Sequence, residues 1–237
     1  MNNGKYGVVT GLFLFLGLAA LGFFIQSAAI HYREYERTVV VKGLAEREVR
    51  ANIVLWPIRF TVTGNDLEKL YRTVDENSRK IKEFLLTRGV GEQEITLTIP
   101  SITDKLAQQY GGGQRAQFRY TASRSVTVYS KKVDQVRRIM SELSELGRQG
   151  IVFSEADYES RPEYIFTRLN EIKPAMIEEA TRKAREVAQK FANDSESRLG
   201  KIKKARQGQF TITPRDKNTP YIKKIRVVST VEYYLSD

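Results

Sequence analysis

The 237-residue chain has no cysteine, only one histidine and one tryptophan, and fewer acidic than basic side chains. The lack of cysteine excludes disulfide bonds, thiolate metal sites and cysteine nucleophiles. A single imidazole, His31, makes neither a metal centre nor a catalytic triad, and its place at the end of an apolar stretch favours an interfacial role. We therefore predict that the protein is not an enzyme and that it holds no metal and no cofactor.

The shortage of acidic residues gives the chain a formal net charge of +11, from 39 Lys and Arg against 28 Asp and Glu. Such a charge attracts a protein to anionic lipid headgroups, anionic wall polymers and nucleic acid, and charge alone does not choose among these partners. Hydrophobic residues make up 41% of the chain. This composition is typical of a folded protein and not of a disordered one.

Charged residues are also missing from the stretch between Tyr6 and Tyr32. A helix needs about 20 mostly apolar residues to cross a bilayer, and the stretch from Val8 to Ile30 provides that length. Apolar residues and glycine surround this helix on every side, whereas a core helix would have a polar face. We therefore predict a single transmembrane helix, represented by the anchor residues Val8, Gly11, Leu14, Leu18, Leu21, Phe24 and Ile30.

The predicted location of the protein follows from this anchor. Residues 1–36 are predicted to form the membrane anchor and juxtamembrane segment, and residues 37–237 one domain outside the cytoplasm, at the inner (cytoplasmic) membrane. A cleavable export signal is the alternative, because Ser27 to Ala29 resembles a cleavage site, although signal cores are only about 7–15 residues long. The flanking cations nearly balance, and they leave the orientation open.

Alternating and helical patterns of apolar residues follow from Arg37 onwards. They predict the element order β-β-α-β-β-α-β-α-β-β, in which antiparallel hairpins alternate with helices that lie on them, an α+β fold. Asp66 is the predicted N-cap of the first of these helices, and residues 92–104 and 118–130 form a predicted hairpin. The last two strands, residues 201–214 and 221–236, are predicted to pair with each other.

The longest predicted helix covers residues 163–199, with Asn170 as a candidate cap and a kink or a new start at Pro174. Its apolar residues recur every three or four positions, which predicts one buried stripe along its whole length. The predicted stripe consists of Ile165, Leu169, Ile172, Met176, Ala180, Ala184, Val187 and Phe191.

Four stretches of the chain carry a family likeness: VVVKGLAEREVRA, GVGEQEITLTIPSIT, YTASRSVTVYSKKVDQVRRIM and IEEATRKAREVAQKFANDSESRLGKIKKA, with RVVSTVEYYL as the last strand. In this order they resemble the SIMPL domain family, which includes bacterial periplasmic immunogenic and oxidative-stress-defence proteins. The resemblance spans about Arg37 to Leu235. It implies an extracytoplasmic α+β domain that assembles into large closed homo-oligomers, and it implies no established enzymatic reaction.

The chain departs from the family pattern at three places. It reads RANIVLWPIRF where members often have a Pro-Asp step, and it has residues 191–194 where members have a second Leu-Gly. It also begins with an anchor-length segment where many members have a cleavable signal.

Two basic clusters lie on the last two predicted strands: Lys201, Lys203 and Lys204 on one, and Lys223, Lys224 and Arg226 on the other. Because these strands should pair, the six cations are predicted to form one patch that binds an anionic polymer or lipid. The alternative is a solvated strand edge that lysines protect from unwanted pairing.

Two functions remain open from the sequence. The first is a membrane-anchored protein that self-assembles into a large ring or cage at the cell envelope, in a structural or stress-related role, with membrane lipid and its own copies as partners. The second is a basic envelope module that binds an anionic polymer, lipid or nucleic acid. No small-molecule substrate is evident.

Overall fold

The computed structural model describes residue 11 and residues 14–27, 37–107, 117–154 and 161–236. Antiparallel strands and helices alternate along this part of the chain, which confirms the predicted α+β class. The elements are α1 (14–27), β1 (Thr38–Arg50), β2 (Ile53–Gly64), α2 (Leu67–Thr87), a 3-10 turn (Glu92–Glu94), β3 (Ile95–Leu97), β4 (Ser101–Asp104), β5 (Tyr120–Ser130), α3 (Val133–Ser141), α4 (Ser144–Arg148), β6 (Val152–Phe153), β7 (Glu163–Ile165), α5 (Leu169–Asp194), β8 (Arg198–Gln207), β9 (Thr211–Pro214) and β10 (Ile222–Ser236).

The chain divides into two compact units. Unit 1 consists of Met1–Arg47, Asn170–Thr211 and Ile225–Asp237, and unit 2 consists of Glu48–Leu169 and Ile212–Lys224. The long strands β1 and β10 each contribute residues to both units.

Unit 1 is built on a sheet with the strand order β1-β10-β8, in which β8 and β10 are antiparallel. Helix α5 packs on this sheet through a row of alanines at every fourth position, Ala180, Ala184, Ala188 and Ala192, all of which are fully buried. Residues four apart lie on the same face of a helix. The small side chains let the helix backbone approach the sheet closely.

The closest approach is at Gly43 of β1. A Cβ at this position would collide with the carbonyl oxygen of Ala180 and would lie 2.9 Å from the Cβ of Ala184. Glycine is therefore required here for space, because a side chain on the strand and the helix backbone cannot share the same volume.

The alanine row corrects the predicted stripe of α5. Val187 and Phe191 were predicted to be buried, yet they are 37% and 55% exposed, and Ala188 and Ala192 lie against the sheet instead. The predicted start at residue 163 is also wrong, since Glu163–Ile165 is strand β7. Asn170 lies inside the helix and is not its cap, and the helix continues through Pro174.

Unit 2 is built on an antiparallel sheet with the strand order β3-β5-β2-β6, in which β4 also pairs with β5 and β7 with β2. Helices α2 and α3 pack on one face of this sheet. Asp66 caps α2 as predicted, accepting a 2.9 Å hydrogen bond from the Lys69 N–H. The core between the helices and the sheet includes Trp56, Ile58, Phe60, Val74, Ile81, Leu85, Val126, Val128 and Val136.

Two predicted strands are each divided into two. The segment 92–104 forms β3 and β4, with Pro100 between them, because proline has no N–H to donate to a ladder. The segment 201–214 forms β8 and β9, with Gly208 between them. Both β3 and β4 pair with β5, which confirms the predicted hairpin, and β8 pairs with β10 as predicted.

Candidate membrane segment and cationic strand

The described part of the predicted anchor is helix α1. Its residues 14–26 are all exposed, and Leu14, Leu18, Leu21 and Phe24 are exposed by 58–70%. Gly11 is also described and exposed, whereas Val8 and Ile30 lie outside the described residues. Within the described ranges, no helix is both long and apolar enough to cross a membrane.

Strand β8 carries the first predicted basic cluster and lies at the end of its sheet. Its side away from β10 has no strand partner among the described strands. Every residue of β8 except Leu199 is exposed, so that neither of its faces is covered. Five cations and no carboxylate lie on it: Arg198, Lys201, Lys203, Lys204 and Arg206.

The register of β8 on β10 decides which residues face these cations. Lys204 is opposite Glu232, and Arg206 is opposite Thr230. The Lys203 ammonium lies 3.2 Å from the Glu232 carboxylate and 5.7 Å from the centre of the Tyr234 ring. A hydrogen bond from Thr38, and after it one from Lys203, lowers the pKa of Glu232 from its ordinary value.

The second predicted basic cluster is not opposite β8 in this register. Lys223 and Lys224 belong to unit 2, and Arg226 of unit 1 lies 3.6 Å from the carboxylate of Glu46. Lys223 is only 8% exposed, and this burial lowers its pKa, an effect that the charge of Glu163 opposes. The pairing of β8 with β10 therefore does not place Lys223 and Lys224 beside the three lysines of β8, and the predicted patch of six cations does not follow from it.

A periodicity in β10 gives the reason for the burial of Lys223. Its odd-numbered residues from 223 to 233 are buried and its even-numbered residues are more exposed. Lys223 has the same parity as Ile225 and Val227, whereas Lys224 and Arg226 have the opposite one. The charge of the segment KKIR predicts an exposed basic cluster, but the alternation of the strand decides which of its cations reach solvent.

Sequence reasoning missed a polar surface on unit 2. Thr121, Ser123, Ser125 and Thr127 alternate along β5 with the buried residues Ala122, Val126 and Val128. Thus one face of the strand carries these apolar residues together with Arg124, and the other face carries hydroxyl groups. The sequence TASRSVT contains this alternation.

A metal centre was not predicted, and the described ranges contain no cluster of three or more His, Asp or Glu side chains arranged to hold a metal ion.

The architecture of the described residues defines the class of protein: an α+β protein in which one sheet packs against helix α5 and the other against helices α2 and α3. The sequence profile of the SIMPL family, described as a protein of unknown function (DUF541), matches residues 39–231. This match covers most of the chain, and the protein belongs to the SIMPL family. A comparison with curated proteins gave no match.

Proposed function

We propose that this SIMPL protein is tethered to the membrane by its N-terminal helix and assembles with its own copies into a closed ring or cage at the cell envelope, in a structural or stress-related role. In this proposal it is not an enzyme, and its domain lies outside the cytoplasm. The unit 1 sheet carries the proposal, because its two edge strands among the described residues, β1 and β8, differ in charge.

The tether is supported by the side chains of α1. Thirteen consecutive residues, 14–26, are exposed, so that the apolar surface surrounds the helix. Phe15, Phe23 and Phe24 are each exposed by 69–70%. Exposed apolar surface of this kind costs free energy in water at about 25 cal/mol per Å², and lipid removes that cost. The sequence continues this apolar stretch on both sides of the described helix.

The assembly is supported by the two edges of the unit 1 sheet. In the order β1-β10-β8, neither β1 nor β8 has a second strand partner among the described strands. An open edge offers unpaired N–H and C=O groups to another chain. Two such edges on one sheet allow a head-to-tail contact, in which each copy uses β8 on one side and β1 on the other, and such contacts close into rings.

Charge favours this contact over a symmetric one. Pairing β8 with β8 of another copy would bring five cations against five cations. Strand β1 carries three cations and two carboxylates, Lys42, Arg47, Arg50, Glu46 and Glu48. Repulsion is therefore weaker when β8 meets β1, and a tether that confines the copies to one surface raises their effective concentration.

Backbone geometry identifies a substitution that tests the edge. The Gly208 N–H donates to the Val228 carbonyl at 2.8 Å, and the register pairs Arg206 with Thr230 and Ala205 with Val231. Hydrogen-bonded and non-hydrogen-bonded pairs alternate in an antiparallel ladder. The N–H of Arg206 therefore points to β10, and the N–H of Ala205 points to the open edge.

Ala205→Pro removes a donor from the open edge and leaves the β8–β10 ladder intact. Ala205→Val is the matched control, since it adds bulk and keeps the N–H. We expect mass photometry of the full-length protein in mild detergent to give one large mass for wild type and for Ala205→Val, and smaller masses for Ala205→Pro at an unchanged thermal midpoint. A wild-type protein that is monomeric at micromolar concentration contradicts the proposal.

A second function is favoured by the composition of β8. Five exposed cations without a carboxylate on one strand are suited to an anionic wall polymer, lipid or nucleic acid. We expect Lys201→Glu with Lys204→Glu to lower the salt concentration at which the protein leaves an anionic matrix. Lys69→Glu with Lys80→Glu, on the exposed face of α2, changes the net charge equally and is the control. Equal elution of the two double variants excludes a specific role of β8.

A further inference from the structure

One face of the unit 1 sheet points away from helix α5. On the other face, Val41 of β1 and Val231 of β10 pack in one cluster with Ala184 of the helix. Successive side chains of a strand point to opposite faces of its sheet. The even-numbered residues of β1 and β10 therefore point away from α5, and on β1 all of them from Val40 onwards are exposed. We call this side the outer face of the sheet.

Apolar side chains reach solvent on the outer face. Val40 is 61% exposed and Leu44 is 36% exposed, and Lys42 lies between them on the same face of β1. Val228 of β10 has the same parity and is half-buried. A single exposed apolar residue is ordinary on a protein surface, whereas apolar residues grouped on one sheet face indicate an interaction surface.

The register of β8 adds two cations to the outer face. Arg206 is directly opposite Thr230 of β10, and Lys204 is directly opposite Glu232. Directly opposite residues in an antiparallel sheet project to the same face. Lys204 and Arg206 therefore lie on the same side of the sheet as Lys42, and both are exposed.

The carboxylates of the outer face in unit 1 are already paired with cations of the same sheet. The Glu232 carboxylate lies 3.2 Å from the Lys203 ammonium, and the Glu46 carboxylate lies 3.6 Å from the Arg226 guanidinium. Three cations of this face have no ion-pair partner among the described residues: Lys42, Lys204 and Arg206. The outer face therefore has a surplus of exposed positive charge beside its apolar residues.

The length of chain between α1 and β1 keeps the outer face near the proposed tether. Nine residues, 28–36, separate the described end of α1 from the next described residue. An extended chain spans at most about 3.6 Å per residue, so that the start of β1 lies within about 40 Å of the end of α1. This distance is about the thickness of one bilayer with its headgroups. A tethered unit 1 is therefore confined to the layer of solvent next to the lipid.

We propose that the outer face of the unit 1 sheet docks on an anionic membrane surface, with Val40 and Leu44 at the level of the headgroups and the three unpaired cations beside lipid phosphates. Apolar residues that alternate with cations are suited to the boundary between water and acyl chains. Each cation near an anionic leaflet strengthens such binding about fivefold. This inference rests on the proposed tether, and it names lipid as the anionic partner. It uses the face of the sheet and leaves its edges to the proposed assembly.

The lack of cysteine makes one introduced thiol the only labelling site, which provides the test. Val40→Cys and Phe191→Cys place the fluorophore nitrobenzoxadiazole on the outer face and on the α5 side of the same sheet, and both side chains are more than half exposed. The labelled full-length protein is reconstituted in phosphatidylcholine vesicles that contain a headgroup-spin-labelled lipid, with and without phosphatidylglycerol. We expect the spin label to quench position 40 much more strongly when phosphatidylglycerol is present, and to quench position 191 weakly in both vesicles.

Charge reversal tests the cations of the outer face. Lys42→Glu with Lys204→Glu should abolish the phosphatidylglycerol-dependent quenching at position 40, because two cations together contribute about 25-fold to the docking equilibrium. Lys69→Glu with Lys80→Glu, on the exposed face of α2, changes the net charge equally and should leave the quenching unchanged. Equal quenching in the two double variants overturns the proposal.

Retention of the protein on pure phosphatidylcholine vesicles tests the tether separately, because this lipid has no net charge. Loss from these vesicles, together with quenching at position 40 by vesicles that contain phosphatidylglycerol, would contradict the tether and still support the docking face. Three results overturn the docking face: quenching at position 40 that does not depend on phosphatidylglycerol, equal quenching at positions 40 and 191, and an emission change at position 40 that soluble polyphosphate causes and lipid does not.

Discussion

Gly43 on β1 lies against Ala180 on α5 at a distance that leaves no room for a Cβ on the strand. This contact holds the central helix of unit 1 to its sheet, together with the alanine row that continues to Ala192. It explains why a 26-residue helix buries mostly alanine instead of leucine or isoleucine.

The first prediction concerns this contact. Gly43→Ala should lower the free energy of unfolding by at least about 2 kcal/mol, because the added methyl group forces the strand and the helix apart. Gly147→Ala is the control, since no atom lies within 4 Å of its added Cβ and the residue is inside helix α4. It should be neutral or stabilising by about 0.5–1 kcal/mol. Equal urea midpoints for the two variants would contradict the close packing.

The second prediction tests which side of α5 is buried. Met176→Ala should cost about 2–5 kcal/mol, because Met176 is fully buried and leaves a cavity. Phe191→Ala should change stability by no more than about 0.5 kcal/mol, since more than half of this side chain is in water. Urea unfolding measures both. A large loss of stability in the Phe191→Ala variant would show that Phe191 is buried, as the sequence predicts, and would contradict the structure.

The third prediction concerns pH and the turn before β10. Asp216 accepts hydrogen bonds from the N–H groups of Asn218 and Thr219 at 2.8 and 2.7 Å, from the Thr219 hydroxyl, and from Arg215 at 3.0 Å. These contacts, that of the Thr219 hydroxyl first, hold its pKa well below the usual range of an aspartate.

Because the folded-state pKa of Asp216 is lowered, the ionised carboxylate stabilises the folded protein at every pH above the unfolded-state pKa of about 4. This stabilisation is lost as the pH falls through the folded-state pKa. Asp216→Asn should therefore lower the urea midpoint at pH 7, and the difference from wild type should shrink as the pH falls below about 4. A difference that is the same at pH 7 and pH 2 would assign the effect to shape and not to charge.

The fourth prediction concerns Lys223. The burial of Lys223 lowers its pKa, so that the folded chain binds the proton of this ammonium group less tightly than the unfolded chain does. The resulting loss of folding stability is fully present below the folded-state pKa. It disappears above the unfolded-state pKa of about 10.4. Lys223→Met should raise the urea midpoint at pH 7, with a gain that shrinks towards pH 10.5. Lys224→Met, one residue along the strand, is the comparison. A destabilised Lys223→Met variant would show that the ammonium group is needed in its place.

The sequence was sufficient for the class of fold and for most elements, because the period of two in β1, β2, β5 and β10 and the helical period in α2 and α3 are strong. It failed where two patterns competed on one element. In α5, an alanine row and a row containing Val187 and Phe191 both fit a helix, and only the close approach at Gly43 selects the smaller one.

The candidate sites show the same limit. The sequence predicts the basic cluster of Lys201, Lys203 and Lys204 on β8, but not Arg198 as part of it. Whether this cluster lies beside Lys223 and Lys224 depends on the strand register, which a single sequence does not contain. The hydroxyl-bearing residues Thr61, Ser101 and Ser123 lie on three strands that are distant in sequence, so that only the pairing of the strands brings them side by side.

Negative-stain electron microscopy of the full-length protein in mild detergent tests most directly the proposal that tethered copies assemble. We expect closed particles of uniform size with the detergent belt on one side, because α1 of every copy then enters the same membrane, and we expect Ala205→Pro to break these particles into smaller ones. A field of single subunits in the wild-type sample, or particles with belts on several sides, would contradict a tethered ring or cage.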